Sequence, residues 1–358
     1  MARRVAALGL DMTPSELRVV ALEAEKGSPA GAEPSPAGGR FSVRAFSLPR
    51  GRISTGRRAL ENTGNQTSEK DQNPRQLLRR YRGWPAAYHD VMPGEFLTIV
   101  SLPLLSASQE VSAIRWEVQR LLPGPVSDYA VDFVKLEGRN PGLPAPPGGN
   151  AYLVYGAPWS AVKASAQLVR SLGLKPKKAC ADAMALLRGT DYLARQSGDT
   201  LLDRTAIVVY LDEDGGSVVV SMKGVPLAAR TVIFETSENE VRLSEESQVS
   251  LMAELERALR YTRRVSGKDP DALCLTGVQD LSDQASRTLA DGLGLPVLNL
   301  RFNVTPDCES PGIDGRYVKA LGLALSLTPP MNGNMNGNIV TGPTGTPPAA
   351  FRRVFPWK

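Results

Sequence analysis

The sequence is poor in the residues that most metal centres and hydrolase sites require. Its 358 residues include one histidine, His89, and three cysteines, Cys180, Cys274 and Cys308, with no C-x-x-C pair among them. A multi-histidine metal site, a zinc cage of cysteines and a disulfide framework are therefore not expected, and the cysteine spacing favours a reducing compartment. His89 lies between prolines, and we predict a solvated or hydrogen-bonded loop residue rather than a catalytic base.

Long apolar runs and common catalytic signatures are also missing. The first apolar run ends at Asp11, which is too early for an export signal, and no later run reaches the ~20 residues that span a bilayer. The sequence contains no G-x-x-x-x-G-K-[ST], G-x-G-x-x-G, G-x-S-x-G or H-E-x-x-H pattern. We therefore predict a cytoplasmic protein without the enzyme sites that these patterns indicate.

The charge is nearly balanced, and the apolar content suffices for a core. There are 42 Lys and Arg residues against 37 Asp and Glu residues, and 42% of the chain is hydrophobic. The length suggests two or three units of about 150 residues each. A basic segment at 74–82 carries no stacking aromatics or glycine-rich loop, so nucleic acid is not an expected partner.

Strands and helices are predicted to follow one α/β plan twice. A hairpin with strands at 5–11 and 16–24 opens the first half, and a three-strand meander between 205 and 234 opens the second. A long helix is predicted from Ser244, its N-cap, to Val265. The first half also carries an additional strand-helix-strand-strand module that begins at Phe96.

One motif within this module is specific. The segment from Ser108 to Phe133 resembles the PilM family of type IV pilus assembly proteins, in which I-R-W-E-x-x-x-x-[IL]-P-x-P precedes an acidic residue and a D-[YF] strand. The matching residues are Ile114, Arg115, Trp116, Glu117, Leu122, Pro123, Pro125, Asp128, Asp132 and Phe133. Weaker matches to the family occur in the same order at Gly9-Leu10-Asp11 with Val19-Val20, at 172–176, at 294–297 and at 320–325.

The resemblance covers about residues 5–327 and implies an actin-like fold related to that of FtsA. This is a two-lobed α/β fold of duplicated RNase H-like halves, here with the inserted strand-helix-strand-strand module. The implied ranges are 1–95 for the N-terminal part of the first lobe, 96–178 for the inserted SHS2-like module, 179–204 for the return to the first lobe, 205–311 for the second lobe, 312–328 for a closing helix and 329–358 for a disordered linker with a basic-aromatic tail.

The function implied by the resemblance is a cytoplasmic scaffold of a type IV pilus, competence or related secretion machine. It would bind the N-terminal tail of a PilN-like inner-membrane protein and reach the membrane only through its partners, with self-association left open. An apolar, partly exposed patch beside the module is the expected contact. Its candidate residues are Phe96, Leu102, Leu104 and Trp116. Trp116 is equally well explained as a core residue of the module.

The resemblance also implies a nucleotide site, which this sequence retains only in part. Pro14 removes a backbone donor from the first phosphate loop, and Glu213 and Asp214 add negative charge to the second. Only Gly277 remains of the third, adenosine-binding loop. If the site is retained, its residues are Asp11, Thr13, Ser15, Asp212, Gly215, Gly216, Glu254, Arg257 and Gly277. Glu254 and Arg257 are explained at least as well by an exposed helix face.

We therefore predict a pseudo-ATPase with no catalytic residue, no resident metal and no cofactor. Two alternatives stay open at this point. The first is a working ATPase or ATP switch of the same family, in which Mg²⁺ bridges the acidic second loop to ATP. The second is an FtsA-like division protein that associates with the membrane. The terminal segment Phe351 to Lys358 is predicted to be a docking motif or a disordered end.

Overall fold

The computed structural model describes residues 6–24, 41–49, 78–90, 94–136, 149–201, 203–213, 215–233, 236–237, 240–293, 295–300 and 315–328. The predictions that involve Asp214, Cys308 and the segment 329–358 lie outside these residues.

The described strands are β1 (Ala6–Met12), β2 (Glu16–Ala24), β3 (Phe41–Pro49), β4 (Pro85–Asp90), β5 (Phe96–Leu102), β6 (Tyr129–Lys135), β7 (Asn150–Pro158), β8 (Lys175–Ala179), β9 (Thr205–Asp212), β10 (Gly215–Met222), β11 (Val225–Val232), β12 (Thr236–Ser237), β13 (Glu240–Leu243), β14 (Ala272–Gly277) and β15 (Val297–Asn299). The described α-helices are α1 (Ala107–Gln119), α2 (Trp159–Ser171), α3 (Asp182–Gln196), α4 (Glu245–Ser266), α5 (Gln279–Leu293) and α6 (Val318–Leu325). Short 3₁₀ turns span Leu78–Tyr81, Val126–Asp128 and Gly315–Tyr317.

Two five-stranded sheets share one topology. The first has the order β3-β2-β1-β4-β8 and the second has the order β11-β10-β9-β14-β15. In each sheet the first three strands form an antiparallel meander, and the remaining strands pair in parallel. The duplicated plan that the sequence predicts is therefore present.

The second sheet forms where the sequence is richest in β-branched residues. Every residue of β9 is buried, as the continuous apolar run from Thr205 predicts, and every residue of β10 is buried as well. Helix α4 begins after Ser244, whose hydroxyl accepts a hydrogen bond from the Ser247 N–H, and it ends at Gly267, which has a φ of 73°. This helix is the element for which sequence and structure agree most closely.

The inserted module is a three-stranded antiparallel sheet with the order β5-β7-β6, covered by α1. Its core includes Ile114 and Val118, which lie one turn apart on α1. Leu121 is 59% exposed because α1 ends before it, at Gln119. The sequence analysis predicts that the module extends to residue 178. Strand β8, which begins at Lys175, instead pairs with β4 in the first-lobe sheet.

Helix α6 closes the molecule by lying directly on β1 and α3. A Cβ atom at Gly9 would come 1.8 Å from the carbonyl oxygen of Ala320, so only glycine permits this approach. Strands β4 and β8 and helix α3 were not predicted from the sequence. His89 was predicted to lie in a loop, whereas it lies on β4 and is 4% exposed. Prolines flank this short buried strand, and their spacing suggested a loop.

Candidate functional site

The first hairpin turn, between β1 and β2, is closed by its own hydrogen bonds. The Thr13 hydroxyl donates to the Glu16 carbonyl oxygen at 3.2 Å and accepts from the Glu16 N–H at 3.1 Å. The Thr13 N–H also donates to the Glu16 carbonyl oxygen, at 2.9 Å. The hydroxyls of Thr13 and Ser15 lie 3.2 Å apart. The turn therefore directs its polar groups towards itself.

Arg18 on β2 crosses from the first lobe to the second. Its guanidinium forms a bidentate ion pair with Asp212 at the end of β9. Nη2 donates to Oδ1 at 2.9 Å, and Nη1 donates to Oδ2. Tyr210 donates its hydroxyl to the same carboxylate at 2.8 Å, and Nε of Arg18 binds Glu16. Burial would raise the pKa of Asp212, but the hydrogen bonds and charge of Arg18 outweigh it, so this pKa is lowered. Arg18 and Asp212 are thus a buried ion pair between the lobes.

A second ion pair lies beside the first. Lys319 on α6 places its Nζ 2.8 Å from Oδ1 of Asp182, the first residue of α3, and 4.2 Å from the centre of the Tyr210 ring. The Ser217 hydroxyl donates to Oδ2 of Asp182 at 3.0 Å. Burial would raise the pKa of Asp182, but the charges of Lys319 and His89 overcome it and lower this pKa. Burial opposes the charge on Lys319, yet Asp182 and Asp11 raise its pKa.

The region between the lobes that holds these two ion pairs is called the cleft below. His89 lies at its base, close to Asp11. Its Nδ1 is 3.7 Å from Oδ1 of Asp11 and 3.7 Å from Oδ1 of Asp182, and its Nε2 is 3.2 Å from Oε2 of Glu95. Burial disfavours the imidazolium, but the neighbouring carboxylates of Asp11, Glu95 and Asp182 raise the pKa of His89 well above its ordinary value. The residue that the sequence analysis set aside is therefore central to the cleft.

The structure brings together only part of the predicted nucleotide set. Asp11, Thr13, Asp212, Gly215, Gly216 and Gly277 are all buried near the hairpin turns, and Ser15 is exposed. Gly277 has a φ of 115°, and a Cβ atom there would lie 2.0 Å from the Leu211 carbonyl oxygen. The described contacts of Glu254 instead join it to Arg257 and to Arg230 on β11.

A small pocket, open to solvent, lies between the module and the first lobe. Its walls come from module strands β5, β6 and β7 on one side and from β8, α3 and α6 on the other. The lining residues are Leu97, Asp132, Phe133, Leu153, Tyr155, Lys178, Ala179, Cys180, Ala181, Met184, Ala185, Arg188, Gly322 and Ser326. Apolar side chains thus surround three charged groups, a composition typical of ligand pockets.

Burial displaces the pKa values of these charged groups towards the neutral form. The pKa of Asp132 is raised to about 7 because its carboxylate is desolvated, although the Phe133 N–H donates to it at 2.9 Å. Desolvation likewise lowers the pKa values of Lys178 and Arg188. The pocket therefore holds charged groups whose burial their neighbours compensate incompletely.

None of the four predicted partner residues lines this pocket. Leu102 is 5% exposed in the module core, so its side chain is not part of an exposed patch. Phe96 is half-buried against Gly156. Leu104 and Trp116 are 75% and 74% exposed. Trp116 is therefore a surface residue, and the core interpretation of it is wrong.

Sequence reasoning missed Arg18, Tyr210, His89, Asp182 and Lys319. One signal was available, because Arg18 is a charged residue within the otherwise apolar run of β2 from Leu17 to Leu22. The others lie on elements far apart in the chain, and only the sheet topology brings them together.

No protein-family model matches this sequence, and no curated protein matches it. Among solved structures, the chain is similar to the PilM-PilN type IV pilus biogenesis complex, with a TM-score of 0.64 and 21% identity over 92% of this chain and 100% of the other. The fold is actin-like. The motif resemblance to PilM is thereby confirmed at the level of the fold.

Two further solved structures are more distant. The cytoplasmic domain of EpsL, an inner-membrane component of the Vibrio cholerae type II secretion system, has a TM-score of 0.47 and 14% identity over 94% of this chain and 99% of its own. A Bacteroides thetaiotaomicron protein with an actin-like ATPase fold and unknown function has a TM-score of 0.41 and 9% identity over 82% of this chain and 90% of its own. Among the described residues, none of the helices combines the length and hydropathy of a membrane span.

Proposed function

We propose that this chain is a non-catalytic scaffold of a type IV pilus, competence or related secretion machine, and that it binds the N-terminal tail of a PilN-like inner-membrane protein. The observation that carries this proposal is the pocket between module and first lobe, in a chain whose fold is that of PilM from a complex with PilN. Such binding would hold a cytoplasmic protein at the inner membrane through its partner.

The chemistry of the pocket supports a short peptide as its occupant. Apolar walls such as Leu97, Phe133 and Leu153 suit aliphatic side chains, whereas Asp132 and Lys178 offer an acceptor and a donor to polar groups of an extended segment. Pairing these groups would recover part of the free energy that their burial costs. A peptide with apolar side chains and a few polar contacts therefore fits better than a highly charged ligand.

We infer further that the cleft between the lobes does not use a nucleotide. Mg²⁺ with ATP, which an actin-like fold implies, does not fit the described cleft, because Arg18 binds both carboxylate oxygens of Asp212. Pro14 lacks an N–H donor, and the Thr13 groups are bonded within their own turn. Gly277 packs against Leu211 and Gly315 rather than facing open space. These contacts support a cleft that serves as part of the scaffold.

Peptide binding is tested with a fluorescent peptide made from the N-terminal tail of a PilN-like protein of the same organism. Fluorescence anisotropy should give saturable binding, and Lys178→Met should weaken it about tenfold, the equivalent of about 1.4 kcal/mol. Lys177→Met is the matched control, because Lys177 is the preceding, exposed residue of the same strand. Equal affinities for the wild type and both variants would exclude the pocket.

Nucleotide binding is tested by isothermal titration with ATP and Mg²⁺ up to millimolar concentrations, on protein shown to be folded. We expect no binding heat. Heat with a defined stoichiometry would instead support the ATP-switch alternative. Concentration-dependent sedimentation of filaments would favour the FtsA-like alternative.

A further inference from the structure

Two buried side chains and one partly buried side chain, from three different elements, converge at the base of the cleft. They are Asp11 at the end of β1, His89 on β4 and Asp182 at the start of α3. One nitrogen or oxygen atom from each lies within 4.8 Å of the others. Asp11 and His89 are 3% and 4% exposed, so bulk water does not solvate them.

Two of the atoms that face one another there are buried and lack a hydrogen-bond partner among the described residues. They are Nδ1 of His89 and Oδ2 of Asp11, whereas Oδ1 of Asp182 is ion-paired with Lys319. The 3.7 Å separations from Nδ1 to Oδ1 of Asp11 and to Oδ1 of Asp182 exceed the usual 2.7–3.2 Å of a hydrogen bond. Ligand atoms around a tetrahedral metal, at about 2.0–2.1 Å from it, lie roughly 3.3 Å from one another. Small side-chain shifts would bring these three atoms to that spacing.

The surroundings of His89 match those of a metal-binding histidine. Its other ring nitrogen, Nε2, lies 3.2 Å from Oε2 of Glu95. A proton on Nε2 that is donated to this carboxylate leaves Nδ1 as a lone-pair donor facing Asp11 and Asp182. Metal-ligating histidines commonly donate their second ring nitrogen to a carboxylate in this way.

The local charge also favours a divalent cation. Three carboxylates, those of Asp11, Glu95 and Asp182, face this point, against one ammonium group, that of Lys319. Once the ion displaces the proton from the imidazole, the local excess is two negative charges. Lys319 binds Oδ1 of Asp182 at 2.8 Å, but a carboxylate oxygen carries two lone pairs and can serve both cations. Imidazole ligation favours zinc and its neighbours over Mg²⁺.

We propose that Asp11, His89 and Asp182 form a binding site for a divalent transition metal of the zinc class, without a nucleotide. The ion would tie β1 and β4 to the N-terminus of α3, directly beneath the Arg18–Asp212 pair. The site shares no residue with the lining of the peptide pocket. Metal binding and peptide binding can therefore be tested separately.

The test uses the full chain, purified without a histidine tag and stripped with chelator, with Zn²⁺ alone as the probe. Equilibrium dialysis should give one bound Zn²⁺ per chain together with a higher Tm. Co²⁺ in place of Zn²⁺ should give visible absorption without the strong near-ultraviolet band of thiolate ligation, because the proposed ligands are nitrogen and oxygen.

Two variants keep the proposal falsifiable. His89→Gln should abolish stoichiometric binding, and Glu95→Gln should weaken it about 10- to 100-fold without removing a ligand. Asp128→Asn, at an exposed carboxylate on the module, should bind like the wild type. Unchanged binding in both His89→Gln and Glu95→Gln would overturn the proposal. So would the absence of bound Zn²⁺ in the folded wild type, in which case a protonated His89 bridges the two aspartates.

Discussion

The cleft and the pocket both bury charged side chains, but they differ in whether neighbouring charges offset the free-energy cost of desolvation. In the cleft, charged partners outweigh desolvation, so the pKa of Asp212 is lowered and that of Lys319 is raised. In the pocket, desolvation outweighs the partners, so the pKa of Asp132 is raised to about 7 and that of Lys178 is lowered. Both effects follow from one physical penalty.

This difference in pKa shifts indicates different roles for the cleft and the pocket. Ion pairs such as Arg18–Asp212 are complete within the protein, and they join the lobes without a ligand. In the pocket, burial outweighs the neighbouring charges at Asp132 and Lys178, and an occupant that pairs with these two groups would lower the cost of their burial. A buried polar group without full compensation is costly, and a functional site is a common reason to retain one. Four substitutions test this comparison between the cleft and the pocket.

The largest effect is expected from Arg18→Met in the cleft. This change leaves the Asp212 carboxylate buried without its cation, and breaking a buried pair in this way costs about 3–5 kcal/mol. Urea unfolding at pH 7 should show the free energy of unfolding lowered by that amount.

A double variant and a surface pair serve as controls for Arg18→Met. Arg18→Met combined with Asp212→Leu should recover most of the lost stability, because both charges are then removed. Arg260→Met breaks the exposed pair with Glu256 and should cost about 1 kcal/mol or less. If Arg18→Met is no more costly than Arg260→Met, the buried pair does not join the lobes.

The next largest effect is expected from Gly277→Ala, which tests how tightly the cleft is closed. The new methyl group would lie 2.0 Å from the Leu211 carbonyl oxygen, at a φ of 115° that side chains rarely adopt. We expect a loss of roughly 3 kcal/mol, measured by thermal or urea unfolding. Gly198→Ala is the matched control, because Gly198 has a φ of 82° with open space around its Cβ position, and it should cost only about 1 kcal/mol. Equal losses of unfolding free energy in the two variants would mean that the backbone around Gly277 shifts to accommodate the new methyl group.

A smaller effect, dependent on pH, is expected from Asp132→Asn in the pocket. The folded-state pKa of about 7 lies above the ordinary 3.8, so the folded protein holds a proton that the unfolded chain releases. Stability from this group is therefore present below about pH 4 and declines as the pH rises to about 7. The amide that replaces the carboxyl group does not titrate, so the variant should gain stability on the wild type between pH 4 and pH 8. A shift of this size would give roughly 4 kcal/mol in full, and we expect roughly 2 kcal/mol because Asp132 is partly exposed to solvent.

Urea unfolding of both proteins across this pH range gives the difference directly. Asp128→Asn, at an exposed carboxylate, should leave the pH dependence unchanged. Parallel curves for the wild type and Asp132→Asn would mean that the pocket compensates the Asp132 charge after all.

The sequence predicts the fold better than it predicts the site, and the reason lies in which interactions are local. The N-cap at Ser244 and the buried run of β9 depend on neighbours in the chain, and both appear as predicted. Arg18 and Asp212 are 194 residues apart, so their pairing depends on the relative position of two sheets. His89 was misplaced because its flanking prolines suggest a loop, although a proline is tolerated as the first residue of a strand, and β4 begins at Pro85.

The smallest effect, and the one that separates the two candidate partner surfaces, is expected from Trp116→Ala. Trp116 and Leu104 are largely exposed on the module, so replacing either should change the free energy of unfolding by no more than about 0.5 kcal/mol. If the PilN-like tail enters the pocket, Trp116→Ala should keep the peptide affinity within about twofold, whereas Lys178→Met weakens it. Fluorescence anisotropy with the same labelled peptide measures both. The reverse pattern would place the tail on the exposed face of α1, because large aromatic residues commonly dominate the binding energy of a protein interface.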